Sequence, residues 1–376
     1  MAKKRIEVRP EMLKWAIERA DRNLDEVMST DSKVESWILG EKHPTLKQLE
    51  DFASSFHIPF PYLLLDAPID EPVPIPLFRT SGRSDTMSLN LRDMIANVRY
   101  RQEWVREYME ELEFDPLPFV GRYAGESNVD YKEVAADIRN TLGLPSPLAM
   151  DANNWEDAKK ILKQHIEEAG IFVSISGTVG TNTRRTIDVE ECRGFVLIDD
   201  IAPFIFVNGR DAQAAQSFTL AHELAHVWLG NSRAFSGVLT ELANDKDEAL
   251  ADKIAAEFLV PESDLLSLSP KSGNIPSLAK SFKVSQIVIA RRLLDLGILS
   301  RSEFFDFYRE QQQKANKPKT SSGGNFYATH KLRLGERFTA FLNSAVTSNN
   351  ILYKDAFRLS GLSAKTYDNL LNKSHL

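Results

Sequence analysis

The chain has 376 residues, of which 43% are hydrophobic and 26% charged, with a formal net charge of −7. That length allows two or three domains with buried cores, and the composition excludes a disordered or fibrous chain. A single cysteine, Cys192, excludes an internal disulfide and fits a reducing cytoplasm.

The N-terminal MAKKRIEVRP is basic but lacks the apolar core of a signal peptide. No uncharged apolar run approaches the ~18 residues that a membrane span needs. A cytoplasmic protein without a membrane partner is the expectation. In chain order, residues 10–65 read as a small helical bundle. PEMLKWAIERA spaces Met12, Leu13, Ala16 and Ile17 as a helix face behind an N-terminal proline. LDEVM is a second short helix. KVESWILGEKHPTLKQLEDFASSF gives a helix ending near Gly40, a turn, and a helix capped by Thr45. HIPFPYLLL closes the unit. WILGEKHPTLKQL resembles the Cro/XRE-type helix-turn-helix module, which implies DNA binding for residues 1–66. The segment between Leu24 and Gly40 is about one helical turn shorter than that module, at the place of its recognition helix. Residues 1–66 also carry ten basic and twelve acidic side chains, whereas a DNA-binding domain presents a basic face. The other reading is a docking domain for a protein partner or for a second copy of the chain, a homodimer. No DNA-binding residue is assigned.

Residues 67–86, APIDEPVPIPLFRTSGRSDT, read as a linker rich in proline and small polar residues. A long amphipathic helix follows at roughly 88–113, with Leu91, Ile95, Val98, Val105 and Met109 near one face and Gln102 as the polar break. Arg92, Arg99, Arg101 and Arg106 alternate with acids and read as a solvated face. Residues 67–129 thus form a linker and helix ahead of an α+β domain at 130–310. There, YKEVAADIRNTLGL and NWEDAKKILKQHIEEAG are helices. IFVSI, RGFVLID and PFIFVN are strands, the last two close enough for a hairpin. Residues 246–259 form a helix stopped by Pro261. SLAKSFKVSQIVIARRLLDLGIL is a helical pair that looks like a second helix-turn-helix, but its Arg291 and Arg292 are read as packing. Residues 311–324 are a polar linker, and 325–376 form a small helical domain that the linker could carry to the cleft. The fold class is multidomain and mainly α, with a small antiparallel or mixed sheet packed on a histidine helix.

That helix is FTLAHELAHVWLG, Phe218–Gly230. His222 and His226 stand at i and i+4, on one face, so their ring nitrogens can converge on one ion. Glu223 sits beside them. This is the H-E-x-x-H pattern, two zinc ligands and a general base that takes a proton as water attacks a peptide carbonyl. Leu220, Ala221, Leu224, Ala225, Val227 and Leu229 are small or apolar. Two unsatisfied histidines in so apolar a helix would be costly. A catalytic zinc takes three protein ligands and one open position. Cys192 stands alone, and His43, His57, His165, His330 and His375 have no helical partner. DKDEALADKIAAEFLVP instead places Glu248 and Asp252 on one face of an apolar helix, where a cation should neutralise them. Glu248 is therefore read as third ligand and Asp252 as acceptor for a histidine N–H. Asp247 and Glu257 are read as solvent-facing.

AHELAHVWLG followed by DEALADKIAAEFLVP resembles the ImmA/IrrE family of metallopeptidases. Glu248 stands thirteen residues before Pro261, the spacing of the family's glutamate ligand; at residue 252 the family often has asparagine. IFVNGRDAQAAQSFTLAHELAH is similar to the family's approach to the active-site helix. GGNFYATHKLRLGERF…YKDAFRLSGL resembles the tail of its longer members. The resemblance implies a zincin-like domain with bound Zn2+ and an intracellular regulator that cleaves or antagonises a repressor, or serves as an antitoxin-like partner. It also implies that an extended substrate adds to the strand beside the active-site helix, FVLID or FIFVN. Tyr123, Tyr131, Arg210, Arg184 and Arg185 are all open as oxyanion stabilisers. The leading expectation is a zinc-dependent endopeptidase that cuts a regulatory protein. The alternative is a transcriptional regulator or antitoxin that binds DNA or a toxin, with the zinc centre idle or structural. A third is a scaffold without metal.

Overall fold

The computed structural model describes residues 4–69, 77–78, 87–144, 152–230, 234–235, 246–268, 274–315 and 326–374. Most of the proline-rich stretch and residues 316–325 lie outside them, so the expected linkers are not described there. By its contacts the chain divides into two units, residues 1–74 with 84–93 and residues 75–83 with 94–376.

The first unit is a bundle of four helices, α1 (Pro10–Arg19), α2 (Leu24–Thr30), α3 (Ser32–Ile38) and α4 (Leu46–Ser55), closed by a 3-10 turn at Phe60–Leu64. Pro10 opens α1, where its missing N–H costs nothing. Asp31 ends α2 and caps α3 by accepting from the Lys33 and Val34 amides. Thr45 and Gln48 form a capping box on α4. Met12, Leu13, Ala16 and Ile17 are fully buried with Trp37, Leu49, Phe52 and Leu63. Helix α3 has only seven residues, about 10 Å of helix. The bundle also holds the first turn of α5 (Leu89–Glu111), where Asp21 accepts the Leu89 amide and Arg19 pairs with Asp93.

The second unit is mainly helical, with one mixed sheet. After α5 come α6 (Tyr131–Leu142) and α7 (Trp155–Glu168). The strands are β1 (Leu77–Phe78), β2 (Phe172–Ile175), β3 (Gly194–Leu197), β4 (Phe204–Val207) and β5 (Ala234–Phe235), in the order β1-β5-β3-β4-β2. β3 and β4 form the expected antiparallel hairpin, and β2 runs parallel to β4. β2 to β4 are buried at every position, apolar apart from Gly194 and Ser174, because both sheet faces are covered. Alternation sorts the side chains. Val173, Ile175, Val196, Ile205 and Val207 enter the main core with α8 (Gln213–Leu229) and α9 (Lys246–Leu259). Phe172 and Phe204 point the other way, meeting Phe341 at 5.8 Å and Phe338 at 6.2 Å between ring centroids. α10 (Glu262–Leu268), α11 (Ile275–Phe282), α12 (Gln286–Asp295) and α13 (Arg301–Ala315) complete this part. Leu278, Phe282, Val288 and Leu293 lie in the main core, so the pair α11–α12 packs.

The tail helices are α14 (Phe326–Leu334), α15 (Glu336–Thr347), α16 (Tyr353–Ser360) and α17 (Ala364–Ser374). Instead of standing apart as a domain free to reach the cleft, α14 and α15 close on the outer edge of β2. Ser174 Oγ donates to the Arg333 carbonyl at 2.6 Å. Gly335 has φ +86°, and a Cβ there would lie 2.4 Å from the Val173 carbonyl oxygen. Only glycine allows that approach at that angle.

Three further expectations change. β4 lies between β3 and β2, and β5 pairs with Gly194 and Phe195 of β3, so FIFVN is not an edge and FVLID is only partly one. Arg101 is not solvated. It is buried, with its Nε donating to the Leu359 carbonyl at 3.0 Å, and Gln102 beside it donates to the Leu197 and Ala202 carbonyls, each at 2.9 Å. Glu257 is ion-paired with Arg292 rather than facing solvent, because α12 turns that arginine inward onto α9.

Candidate metal centre

Helix α8 is buried from Gln216 to Leu229. Gly230 ends it in the left-handed conformation at φ +74°, with its Cα side against Gly121. The segment around Gly121 caps the last turn, the Gly121 amide donating to the Val227 carbonyl and the Tyr123 amide to that of Trp228. Trp228 stacks on Phe119 and donates to Asp137. A helix so fixed at its end holds its histidines against the α9 face.

His222, His226 and Glu248 are all buried, and one ligand atom from each lies within 4.8 Å of the others. The His222 and His226 Nε2 atoms are 3.1 Å apart. Glu248 meets His222 Nε2 at 3.2 Å and His226 Nε2 at 3.4 Å. Asp252, one turn further along α9, accepts from His222 Nδ1 at 3.0 Å. With the proton on Nδ1, the Nε2 lone pair of His222 is directed at Glu248 and His226. The spacing of four on each of two helices thus brings four of the sequence-derived residues together.

Electrostatics favour a cation here. Burial pulls the His222 imidazolium down, but hydrogen bonds to Asp252 and Glu248 outweigh it and push the group up to about 10. Glu248 is opposed by burial, yet its bonds to the two histidines hold it well below the usual carboxylate range. Two imidazole nitrogens and a carboxylate are a zinc donor set with room for a fourth ligand.

Glu223, next to His222, is fully buried. Neither carboxylate oxygen has a hydrogen-bond partner among the described residues. Burial pushes its proton affinity well up; the His222 charge opposes this and Glu248 adds to it. An orphaned carboxylate beside that donor set fits a centre completed by a metal ion and its outer ligand.

The sequence reading missed the floor of this carboxylate. A Cβ on Gly194 would lie 2.5 Å from Thr219 Cγ2 and 3.0 Å from Glu223 Oε1, so β3 and α8 meet at glycine. The only signal was a glycine at the start of an apolar strand. Cys192 is buried two residues before it, and burial first, then the nearby Glu223 charge, pushes its thiol well up. It stays a thiol and offers no ligand.

The residues left open as oxyanion stabilisers are spread over several elements. Tyr131 bonds Arg292, at the end of α9 where Glu257 lies, nine residues and about 13 Å along the helix from Glu248. Tyr123 lies near Asp137, and Arg210 lies across Gly177. Arg184 is exposed and Arg185 half-buried in the loop after Gly180. Asp247 is half-buried.

Residues 166–294 match the Peptidase_M78 family, described as an IrrE N-terminal-like domain. The match runs from the end of α7 to α12 and contains the sheet hairpin, α8 and α9. It supports the ImmA/IrrE family resemblance and suggests a metallopeptidase with a metal, typically zinc. Residues 334–373 match DUF8813, a domain of unknown function. No curated protein matches the chain. Among the described residues, no helix is long and apolar enough to cross a membrane.

Proposed function

We propose that the protein is a zinc-dependent endopeptidase that cuts a specific regulatory protein. The observation that carries this is the orphaned Glu223 carboxylate beside the converging His222, His226 and Glu248. A purely structural zinc site would not need a buried acid with no partner.

His222, His226 and Glu248 hold the ion, and Asp252 keeps the proton on His222 Nδ1. Zinc bound there would act as a Lewis acid toward a peptide carbonyl and make water a stronger acid. Glu223 takes the proton of the attacking water and passes it to the leaving amine. Its raised proton affinity suits a group that must both accept and return a proton. Gly194 leaves the carboxylate room against the sheet. The N-terminal bundle, with more acids than bases, is the part that would bring a protein partner. The alternative reading, a regulator or antitoxin that binds DNA or a toxin through this bundle, makes no use of Glu223.

Expression of the wild type and of Glu223→Gln in matched cells, followed by sequencing of protein N-termini, separates the two. The peptidase reading expects at least one new N-terminus that is present with wild type and lost with Glu223→Gln at equal zinc content. Identical N-termini in both, with the regulatory phenotype kept by Glu223→Gln, would refute peptidase action.

A further inference from the structure

On the sheet face opposite α8, a small pocket opens between α5, the end of β2 and the tail helices. Arg101 of α5, Ser174 and Ser176 of β2 and its exit, Thr178, and His330 and Arg333 of α14 all line it. Its chemistry is one-sided. No carboxylate lines it among the described residues. Elsewhere in this unit, the buried Arg292 meets Glu257, and the half-buried Arg337 meets the Glu167 carbonyl while its amide meets the Glu167 carboxylate. Arg101 is 9% exposed; its Nε donates to the Leu359 carbonyl and its guanidinium lies 6.0 Å from the Phe338 ring centroid. Among the described residues, the Arg333 guanidinium donates to the Gly180 carbonyl, at 3.4 Å. Two arginines from different helices therefore line one pocket without an anion among the described residues, which is costly in a buried setting unless something supplies the charge.

The surroundings select an oxyanion. Ser174, Ser176 and Thr178 already spend their hydroxyl protons on the carbonyls of Arg333, Thr178 and Gly180, so these walls are polar without adding negative charge. The two arginines come from different helices, α5 and α14, which suits a tetrahedral group with several oxygens better than one planar carboxylate. Burial, with the charges of Arg101 and Arg333, pulls His330 down to about 4, against a bond to the Ser360 backbone. Burial alone likewise lowers Arg101 to about 10.

We infer that this pocket binds a phosphate group, either free phosphate or that of a small phosphomonoester, through Arg101 and Arg333. The bound anion ties α14 to α5 and to the exit of β2, and so fastens the tail to the sheet face behind the metal centre.

The test is titration of the full-length protein with inorganic phosphate, followed by calorimetry and by the NMR signals of the His330 ring, in wild type, Arg101→Met and Arg333→Gln. Saturable binding that moves the His330 signals and weakens at least about tenfold in either variant supports the site. Arg333 is half-buried, so its variant keeps the test valid should Arg101→Met fail to fold. Glycerol 1-phosphate binding more tightly than phosphate assigns the site to a phosphomonoester; equal or weaker binding assigns it to free phosphate. Acetate binding as tightly as phosphate would overturn the assignment. So would no saturable phosphate binding, an unmoved His330 ring, or wild-type affinity in both folded variants.

Discussion

His222 Nδ1 lies 3.0 Å from Asp252 Oδ1, and this bond sets the tautomer that leaves His222 Nε2 to face Glu248. Asp252 does not reach the ion's place itself; it orients a residue that does. Asp252→Ala should weaken zinc binding about 10–100-fold, the usual cost of losing such a partner. Asp252→Asn keeps an acceptor oxygen and should lose far less. Competition with a chelator of known affinity measures both; equal affinities in the two variants would remove the orienting role.

Gly194 should tolerate no side chain. Its Cβ would press on Thr219 and Glu223 of α8 and lie 2.9 Å from the Phe206 carbonyl of β4. Gly194→Ala should cost about 1–3 kcal/mol in urea unfolding, as overpacking does. Wild-type stability in this variant would mean that β3 and α8 are not so closely held.

The parts of this molecule legible in sequence are those written by local spacing. Four-residue intervals in AHELAH and in Glu248–Asp252 state which side chains share a helix face, and Thr45 marks the start of its helix. What was not legible depends on distant partners. The strand order places β4 inside the sheet through a parallel pairing with β2 that no hairpin pattern announces. Arg101 sits among alternating charges, as an exposed residue would, yet its partner carbonyl is 258 residues away. Glu257 looked solvated until Arg292 arrived from α12. The position of the tail turns on one glycine, Gly335, meeting the edge of β2.

His330 should make the tail sensitive to acid. Burial first, then the charges of Arg101 and Arg333, hold its ring at about 4 in the folded protein, below the ordinary 6.5. A depressed pKa contributes stability that is full above pH 6.5 and is lost as pH falls through 4, up to on the order of 3 kcal/mol. His330→Gln should therefore show a shallower loss of stability than wild type between pH 6.5 and 4, in urea unfolding without phosphate. Parallel curves would mean that the ring titrates normally.

The central claim is that His222, His226 and Glu248 hold a zinc ion. The most direct measurement is zinc per chain by elemental mass spectrometry, in purified wild type and in Glu248→Gln, with circular dichroism to establish that the variant is folded. The account predicts about one zinc in wild type and a clear loss in folded Glu248→Gln, because a catalytic zinc needs its third protein ligand. Zinc absent from wild type even after it is supplied, or retained in full by Glu248→Gln, would contradict it.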